Sequence, residues 1–405
     1  MKILLIHNSY QQPGGEDVVF EQECRLLRQH GHEVLTYQRS NREIEKLSAF
    51  EKLAMVTHII SAEDSKLAVK RILDRFQPDI VHATNTFMVI SPSVYEACGE
   101  ARIPVLQTLQ NYRLLCPAAL HFRDGHVCEE CPKHGLLRSV WHGCYRDSRP
   151  QTAAVALMLK IHRERRTWTE AVTGYVVATE FARQKFIDGG LPAEKIYVKP
   201  NFVDPDPGER SQPGNYALFV GRLSPEKGLS TLLAAWARLK TVVPLMIAGE
   251  GPLRRHLEAE VAKHNLRQVS FAGQLNSTEI RTAMKQSSFL VLPSLWYEGF
   301  PMVMAESLAC GTPVIGSRLG AMQEIITDGR NGLHFQTDNP EDLAEKVDWA
   351  WKHPSELAAM GREARGDYEA LYTSEMNYSL LMAIYKQVIH GRFDAVGQKT
   401  SISVA

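Results

Sequence analysis

Two cations in the second half of the chain lie where a predicted strand meets a predicted helix. The segment Val220–Gly228 is VGRLSPEKG, so Arg222 follows the end of a strand and Lys227 directly precedes Gly228 at the start of the next helix. A planar guanidinium and an ammonium on one strand–loop–helix connection can together neutralise a diphosphate. The alternative is a solvated basic pair, since Lys and Arg are common on protein surfaces.

A second segment, Pro293–Gly311, places two glutamates around another strand-to-helix connection. Its sequence is PSLWYEGFPMVMAESLACG, and Pro301 predicts the first position of a helix over Met302–Ala309. The N-terminus of such a helix presents unpaired N–H groups that can bind an anion. Because a carboxylate there would repel a phosphate, we predict that Glu298 and Glu306 accept hydrogen bonds from sugar hydroxyls. The alternative places Glu306 on the helix surface and makes Glu298 a partner of the helix dipole.

Short apolar runs alternate with amphipathic stretches along the chain, which predicts parallel sheets covered by helices. A helix over Asp17–His30, closed by Gly31, follows the first strand. The predicted strands are Lys2–His7, Glu33–Tyr37, Asp79–His82, Val105–Thr108 and Gly174–Ala178 in the first half, and Tyr216–Val220, Leu245–Ala248, Val269–Phe271, Phe289–Leu292 and Val314–Gly316 in the second.

The segment Asn201–Gly214 contains proline, glycine and charged residues without an apolar period, which is typical of a linker. We therefore predict an N-terminal domain over residues 1–204, with a Cys-rich insertion at about 112–150, and a C-terminal domain over 215–385. Residues 386–405 are predicted to form a tail that could pack back on the first domain and that frays from Gly391 onward. Two doubly wound α/β domains place the carboxyl ends of both sheets at one interdomain cleft, where ligands bind in such folds.

The composition excludes several classes of protein. The chain carries 46 Lys and Arg against 46 Asp and Glu, so no overall positive field attracts nucleic acid. No apolar run reaches the roughly 18 residues of a transmembrane helix. The N-terminus MKILLIHN lacks a cleavage site, which indicates a strand and not a signal peptide. These features predict a cytoplasmic protein.

Four of the seven cysteines are close together in the sequence. The four are Cys116, Cys128, Cys131 and Cys144. A Cys-x2-Cys pair with two further thiolates fits the tetrahedral ligand set of a structural zinc. The segment between them has too little apolar content to fold by burial alone, which favours a metal site. Reduced thiols without a metal are one alternative, and two disulfides, which a cytosolic compartment disfavours, are another.

The segment 133–170 is basic and aromatic. It contains eight Lys or Arg residues against three Asp or Glu, with Trp141, Tyr145 and Trp168 interleaved. Such a surface suits an anionic membrane, which would place the protein at the inner face of the membrane beside a lipid-linked ligand. A solvated face is the alternative, and a nucleic-acid partner is not expected.

Taken together, these motifs resemble those of the retaining glycosyltransferases of family 4 (glycosyltransferase group 1), whose two Rossmann-like domains form the GT-B fold. The resemblance includes VGRLSPEKG and the Glu-x7-Glu segment EGFPMVMAE. It extends to PGGEDVV (Pro13–Val19), to GEGP (Gly249–Pro252) and to the glycines of Val314–Phe335, which are Gly316, Gly320, Gly329 and Gly332.

The resemblance implies a nucleotide-diphosphate sugar donor in the cleft and transfer of a hexose, with retention, to a carbohydrate or lipid-linked acceptor, as in polysaccharide or glycoconjugate synthesis. By that analogy Arg222 and Lys227 neutralise the diphosphate, Glu306 binds the ribose hydroxyls and Glu298 binds the transferred sugar. Backbone groups would complete the donor site, namely the N–H groups of Gly299, Phe300, Met302 and Val303 and the close approach allowed by Gly14 and Gly15. No catalytic metal is expected, because the two cations and the helix N-terminus stabilise the leaving diphosphate.

One position departs from the family pattern. The family usually has a histidine where this sequence has Gln110, after the strand that ends Thr108-Leu109. The resemblance implies that Gln110 reaches an outer hydroxyl of the donor sugar, and its amide can hydrogen-bond that hydroxyl without carrying a charge. The alternatives for the whole protein are another GT-B enzyme, such as a disaccharide phosphorylase or a nucleotide-sugar epimerase, and a non-catalytic nucleotide-sugar-binding protein.

Overall fold

The computed structural model describes residues 1–11, 14–46, 48, 55–212 and 214–391. Pro13 of the PGGEDVV segment and the predicted frayed tail beyond Gly391 lie outside these residues. The strands are β1 (Lys2–Ser9), β2 (Glu33–Ser40), β3 (Ile80–Asn85), β4 (Val105–Thr108), β5 (Phe122–Arg123), β6 (His126–Val127), β7 (Gly174–Val177), β8 (Ile196–Val198), β9 (Ala217–Val220), β10 (Leu245–Ala248), β11 (Val269–Gly273), β12 (Phe289–Leu292), β13 (Val314–Ser317) and β14 (Gly332–Phe335).

Helices connect most of these strands and cover the sheets. They are α1 (Gly15–Gln29), α2 (Glu63–Phe76), α3 (Val94–Glu100), α4 (Glu130–His134), α5 (Leu137–His142), α6 (Arg149–Glu164), α7 (Glu180–Asp188), α8 (Leu229–Trp236), α9 (Arg254–Lys263), α10 (Ser277–Gln286), α11 (Met302–Ala309), α12 (Ala321–Ile325), α13 (Pro340–Lys352), α14 (Pro354–Leu371) and α15 (Ser374–His390).

The strands form two six-stranded parallel sheets and one small hairpin. The first sheet has the order β2-β1-β3-β4-β7-β8 and the second has the order β11-β10-β9-β12-β13-β14. Every residue of β4, β7, β12, β13 and β14 is buried. Strands with helices on both faces must be apolar throughout, which is why short apolar runs identified most of them. The predicted fold class, two Rossmann-like doubly wound domains, is confirmed.

Three features of the sheets were not predicted from the sequence. The edge strands β8 and β14 and the hairpin β5–β6 are two to four residues long. A polar residue interrupts β14 at His334, and the hairpin within the Cys-rich insertion contains Arg123 and His126. Such runs have neither the length nor the periodicity that identifies a strand.

The last helix, α15, belongs structurally to the first sheet. Its apolar residues share one buried cluster with residues of β1, α1, β4 and β7; the α15 members are Leu381, Ile384, Tyr385 and Val388. Because the whole second sheet lies between β8 and α15 in the sequence, the chain passes from one sheet to the other twice.

A buried ion pair fixes α15 to the first domain. Lys199 Nζ lies 2.6 Å from Glu23 Oε1 and 3.1 Å from Asn377 Oδ1 of α15. The two charged side chains are 1% and 2% exposed. Burial alone would raise the pKa of Glu23, but the Lys199 charge holds that pKa below its usual value.

His82, at the centre of the same sheet, is buried without a charge. Its Nδ1 lies 2.9 Å from the Tyr385 hydroxyl and its Nε2 lies 2.7 Å from Thr108 Oγ1. Burial lowers the pKa of His82 to about 4. A neutral imidazole has one nitrogen that donates and one that accepts a hydrogen bond. Since a hydroxyl can do either, the two hydroxyls beside His82 satisfy the uncharged ring.

This burial predicts a specific pH dependence of stability. In the unfolded chain a histidine has a pKa near 6.5, so between about pH 6.5 and pH 4 the unfolded state binds more protons than the folded state. The free energy of unfolding should therefore fall as the pH is lowered through this window, by up to about 1.4 kcal/mol per pH unit. Urea denaturation of the wild type and of His82→Gln at pH 7, 6 and 5 measures it. The variant should lose this part of the slope, whereas His264→Gln, an exposed control, should keep it; equal slopes in all three proteins would contradict the assignment.

Candidate active site

The candidate site lies where the second sheet reverses its strand order. The strands β9 and β12 are neighbours in the sheet, and the connections that follow them run to opposite sides. Ligands bind at such a switch point, outside the carboxyl ends of the strands. The loop after β9 carries Arg222 and Lys227, and the loop after β12 carries Glu298, so both predicted segments reach the switch point.

The two loops are in direct contact. The backbone N–H of Leu295 donates to the carbonyl of Glu226 over 2.8 Å. Gly228 has a φ of +69°, and a Cβ at this position would lie 1.8 Å from the carbonyl oxygen of Pro293. Only glycine fits this turn, because any side chain would collide with the backbone of the second loop.

Lys227 and Glu298 form an ion pair at the centre of the site. Lys227 Nζ donates to Glu298 Oε1 over 2.7 Å, and the Ser294 hydroxyl donates to the same oxygen over 2.8 Å. The Lys227 side chain is 24% exposed and that of Glu298 is 8% exposed. Lys227 Nζ also lies 5.3 Å from the ring centroid of Trp296. The protein therefore holds a cation and a carboxylate side by side at the switch point of the second sheet.

Arg222 is the more accessible of the two predicted cations. Its side chain is 60% exposed, and its Nη2 lies 3.4 Å from Glu226 Oε1. That carboxylate is itself fixed by the Ser224 hydroxyl, which donates to Oε1 over 2.6 Å. The contact with Arg222 is long, so the guanidinium can turn toward a ligand at little cost.

The N-terminus of α11 faces the first domain across the cleft. Pro301 immediately precedes this helix and is its N-cap, one position earlier than predicted. A Cβ on Gly299 would lie 2.8 Å from the carbonyl oxygen of Gln110, and a Cβ on Gly15 would lie 3.8 Å from Met302 Cγ. The first domain thus approaches the segment 299–302 at two points.

The other residues predicted at this helix have different surroundings. Phe300 is buried, and its ring lies 5.6 Å from that of Tyr372, so only its backbone is available to a ligand. Val303 packs at the edge of an apolar cluster. Glu306 lies in the second turn of α11, where burial raises its pKa and Arg281 opposes this effect. Gly14 has open space around it and an extended backbone, so the fold itself does not require a glycine there.

Gln110 reaches the cleft but already has a partner. Its Nε2 donates to Asn201 Oδ1 over 3.1 Å, and Asn201 Nδ2 donates to Gln110 Oε1 over 3.2 Å. The two amides form a closed pair next to Gly299. A ligand at this position must therefore share or replace one of these two hydrogen bonds.

The structure also brings residues to the cleft that the sequence analysis did not select. The Tyr297 hydroxyl, directly before Glu298, donates to Glu129 Oε1 of the Cys-rich insertion over 3.1 Å. Glu324 of the second domain accepts the N–H groups of Glu180 and Phe181, at the start of α7, over 2.9 and 2.8 Å. These contacts join the two domains. Only the adjacency of Tyr297 to Glu298 could have indicated one of them in the sequence.

The four clustered cysteines are free thiols. Cys116 and Cys131 are buried, and Cys128 and Cys144 are half-buried. Burial, reinforced by Cys116, raises the pKa of Cys131 to about 12 and that of Cys144 to about 11. Across the described residues, no three His, Cys, Asp or Glu side chains are arranged to hold a metal ion. The structure does not support the predicted zinc site.

Two family models together match nearly the whole of this chain. The model for glycosyltransferase family 4 matches residues 13–207, and the model for glycosyl transferases group 1 matches residues 204–367. The chain is a family 4, group 1 glycosyltransferase. The GT-B fold predicted from the family motifs is therefore confirmed.

Curated relatives of this glycosyltransferase include two that are named for different sugars. A D-rhamnosyltransferase of Pseudomonas aeruginosa is 34% identical over 161 residues, which are 39% of this chain and 42% of that protein. An uncharacterised glycosyltransferase of Methanocaldococcus jannaschii is 41% identical over 33% of this chain and 37% of its own length. A GDP-mannose-dependent alpha-mannosyltransferase of Corynebacterium glutamicum is 24% identical over 89% of this chain and 84% of its own. The matched region thus spans about two fifths of the first two relatives.

Solved structures share the fold at low sequence identity. Sucrose-phosphate synthase from Thermosynechococcus elongatus has a TM-score of 0.71 and 18% identity, covering 96% of this glycosyltransferase and 99% of that chain. An Anabaena protein solved in complex with UDP-glucose has a TM-score of 0.68 and 18% identity, covering 95% and 100%. In the described part of the chain, no helix has both the length and the apolar character needed to cross a membrane.

Proposed function

We propose that this protein transfers a sugar, with retention at the anomeric carbon, from a nucleoside diphosphate donor to a carbohydrate or lipid-linked acceptor. The observation that supports the proposal is the Lys227–Glu298 pair at the switch point, with Arg222 on the same loop as Lys227 and α11 beginning four residues after Glu298. The two cations, Arg222 and Lys227, and a helix N-terminus can bind a diphosphate, and the buried carboxylate of Glu298 can accept a hydrogen bond from a sugar hydroxyl.

In the free protein, the charges of Lys227 and Glu298 neutralise each other. A donor diphosphate would compete with Glu298 for Lys227 Nζ and attract Arg222 from its long contact with Glu226. Glu298, still fixed by Ser294, would then accept a hydrogen bond from the donor sugar. In this scheme the bond between the anomeric carbon and the diphosphate oxygen breaks and the diphosphate leaves. A bond to the acceptor oxygen forms on the same face, and the acceptor proton passes to a phosphate oxygen.

Surface features of the first domain support an acceptor with an apolar part. On α5, Leu137 is 82% exposed and Trp141, four residues later on the same face, is 72% exposed. The Arg149 guanidinium lies 5.7 Å from the Trp141 ring centroid. A cavity of about 450 Å³, lined in part by Met88 and Tyr145, lies on the same domain. Co-sedimentation with phosphatidylglycerol vesicles tests the proposed membrane contact, which Leu137→Ser with Trp141→Ser should abolish.

The donor can be identified by ligand-induced stabilisation. Thermal unfolding with UDP-glucose, UDP-galactose, UDP-N-acetylglucosamine, GDP-mannose and ADP-glucose should show one donor raising the Tm by several degrees, because ligand binding shifts the folding equilibrium. Glucose 1-phosphate serves as a probe for phosphorylase activity. Stabilisation by glucose 1-phosphate alone would indicate a phosphorylase, and a donor that binds without being hydrolysed or transferred would indicate a binding protein. Anomeric proton coupling constants of the product test retention.

Replacement of Gln110 should affect the sugar and not the nucleotide. Gln110→Ala removes neutral hydrogen bonds and leaves the Asn201 amide unpaired, so transfer should fall about ten- to a hundredfold. Affinity for the free nucleoside diphosphate should stay near the wild-type value, and Gln110→His should restore part of the transfer rate. Calorimetric titration of the diphosphate and of the donor against each variant checks this. Asn201→Ala is the matched control: an equal loss of transfer there, with Gln110 intact, would mean that Gln110 acts only by holding the pair together.

A further inference from the structure

Two buried polar atoms on the first domain's side of the cleft have no hydrogen-bond partner within the described residues. They are Glu16 Oε2 and Arg113 Nε. One is a hydrogen-bond acceptor and the other is a donor. Buried polar groups in native proteins are almost always paired, so two complementary unpaired atoms at one site indicate a missing ligand or ordered water.

Glu16 connects the two points where the first domain approaches the segment 299–302. It follows Gly15, which faces Met302, and its Oε1 accepts a 2.7 Å hydrogen bond from Asn111 Nδ2. Asn111 in turn follows Gln110, whose carbonyl faces Gly299. Oε2, the second oxygen of Glu16, is therefore buried beside the two points of contact between the domains and accepts no hydrogen bond from the described residues.

Arg113 is held rigidly next to this carboxylate. Its Nη1 donates to the carbonyl of Pro117 over 2.6 Å, and its guanidinium carbon lies 3.9 Å from the ring centroid of Phe87. The backbone N–H of Arg113 donates to Asn111 Oδ1 over 2.9 Å. One asparagine therefore positions both Glu16 and Arg113. A guanidinium restrained in this way keeps one N–H, that of Nε, without a hydrogen-bond partner in the described residues.

The pair is chemically complementary to a hydroxyl-bearing ligand. A carboxylate oxygen can only accept a hydrogen bond from the ligand, and a guanidinium N–H can only donate one. A saccharide hydroxyl does both, and adjacent hydroxyls can engage the two groups together. A phosphate or carboxylate ligand would instead be repelled by Glu16.

We propose that Glu16 and Arg113 bind hydroxyl groups of a saccharide acceptor and hold it opposite the donor sugar. This inference rests on the proposed function and extends it, because it assigns the acceptor's recognition elements and its chemical class. Glu16 would accept a hydrogen bond through Oε2, Arg113 would donate one through Nε, and Asn111 would fix their spacing.

An unpaired buried carboxylate should lower the stability of the free protein. Burial raises the pKa of Glu16, and Asn111, Tyr10 and Arg113 only partly oppose this effect. Residues kept for binding commonly cost stability in this way. Glu16→Gln, which keeps the shape and removes the buried charge, should therefore leave the Tm unchanged or raise it by a few degrees. Glu21→Gln, on the exposed face of the same helix, is the matched control. A Tm lower by several degrees in Glu16→Gln alone would make Glu16 a structural residue and overturn the proposal.

Saccharide binding tests the proposal directly, without requiring turnover. Saturation-transfer NMR is recorded with methyl α-glucoside, methyl α-galactoside and methyl α-mannoside on the protein saturated with UDP or GDP. At least one glycoside should bind the wild type and Glu21→Gln, and the signal from Glu16→Gln should be about tenfold weaker or more. The affinity of Glu16→Gln for the nucleoside diphosphate should stay within about twofold of the wild type, since the described contacts of Glu16 are with residues of the first domain and not with Arg222 or Lys227.

The possible outcomes distinguish the assignment of the donor site from that of the acceptor site. If no nucleotide or nucleotide sugar binds the wild type, the proposed function is wrong. If nucleotides bind but none of the glycosides does, or if Glu16→Gln binds the glycosides as well as the wild type does, the assignment of the acceptor site is wrong and the donor assignment stands.

Discussion

Arg222→Ala and Lys227→Ala are each expected to lower kcat/KM for sugar transfer by about 30- to 1000-fold, or about 2–4 kcal/mol of transition-state stabilisation. The physical reason is that negative charge develops on the leaving diphosphate, and these are the two cations on the loop after β9 at the switch point. Initial rates measured with the donor found by thermal unfolding, at saturating and limiting concentrations, give kcat and KM separately.

The two variants should differ in stability, which separates catalysis from folding. Arg222 is 60% exposed and has one long ionic contact, so its replacement should leave the Tm almost unchanged. Lys227→Ala leaves Glu298, 8% exposed, without its cation and should lower the Tm. Arg238→Ala removes an exposed cation of the same domain, paired with Glu341, and serves as the control. Near-normal turnover in a folded Arg222→Ala protein would refute the diphosphate assignment.

Among the variants described, Lys199→Met should produce the largest loss of stability, about 3–5 kcal/mol in the free energy of unfolding. The substitution keeps most of the volume of the side chain but leaves Glu23, 2% exposed, as an uncompensated buried charge. The double variant Lys199→Met with Glu23→Leu removes both charges and should recover most of the loss. Urea denaturation at pH 7 measures all three proteins.

The Lys199–Glu23 pair also predicts how the loss of stability in Lys199→Met depends on pH. Because the folded pKa of Glu23 is depressed, its contribution to stability is present above the unfolded pKa of about 4.3 and is lost as the pH falls through the folded value. Lowering the pH below about 4 should therefore reduce the difference in the free energy of unfolding between the wild type and Lys199→Met. A single variant as stable as the double variant would show that Glu23 finds another partner.

The sequence predicted the sheets better than it predicted the contacts between them. Buried parallel strands such as β4, β10 and β12 are continuous apolar runs, and their bounds were predicted to the residue. The Lys227–Glu298 pair joins residues 71 positions apart, and nothing local to VGRLSPEKG or to EGFPMVMAE specifies that distance. The closed amide pair of Gln110 with Asn201 is likewise a product of the tertiary fold.

The Cys-rich insertion shows a different limit of the sequence pattern. Spacing alone can state which thiols are close along the chain, but not whether their side chains are arranged to hold a metal ion. Glu129 of the insertion also has partners outside it, Lys185 and Tyr297. Burial alone would raise the pKa of Glu129, but Lys185, Lys133 and Tyr297 together lower it to about 2. A spacing motif does not record such partners.

The position of α15 has a consequence for how the protein is made. The first sheet emerges from the ribosome early, but the helix that covers Ile3, Leu5, Leu106 and Val176 is synthesised only after the entire second domain. At about 5–20 residues per second, translation of the intervening chain takes on the order of 10–35 s. During that time the apolar face of the first sheet is uncovered, and the buried Lys199–Glu23 pair lacks its contact with Asn377 of α15. Chaperones that bind exposed apolar segments should therefore associate with ribosome-bound intermediates of this protein until Ser374–His390 has left the exit tunnel.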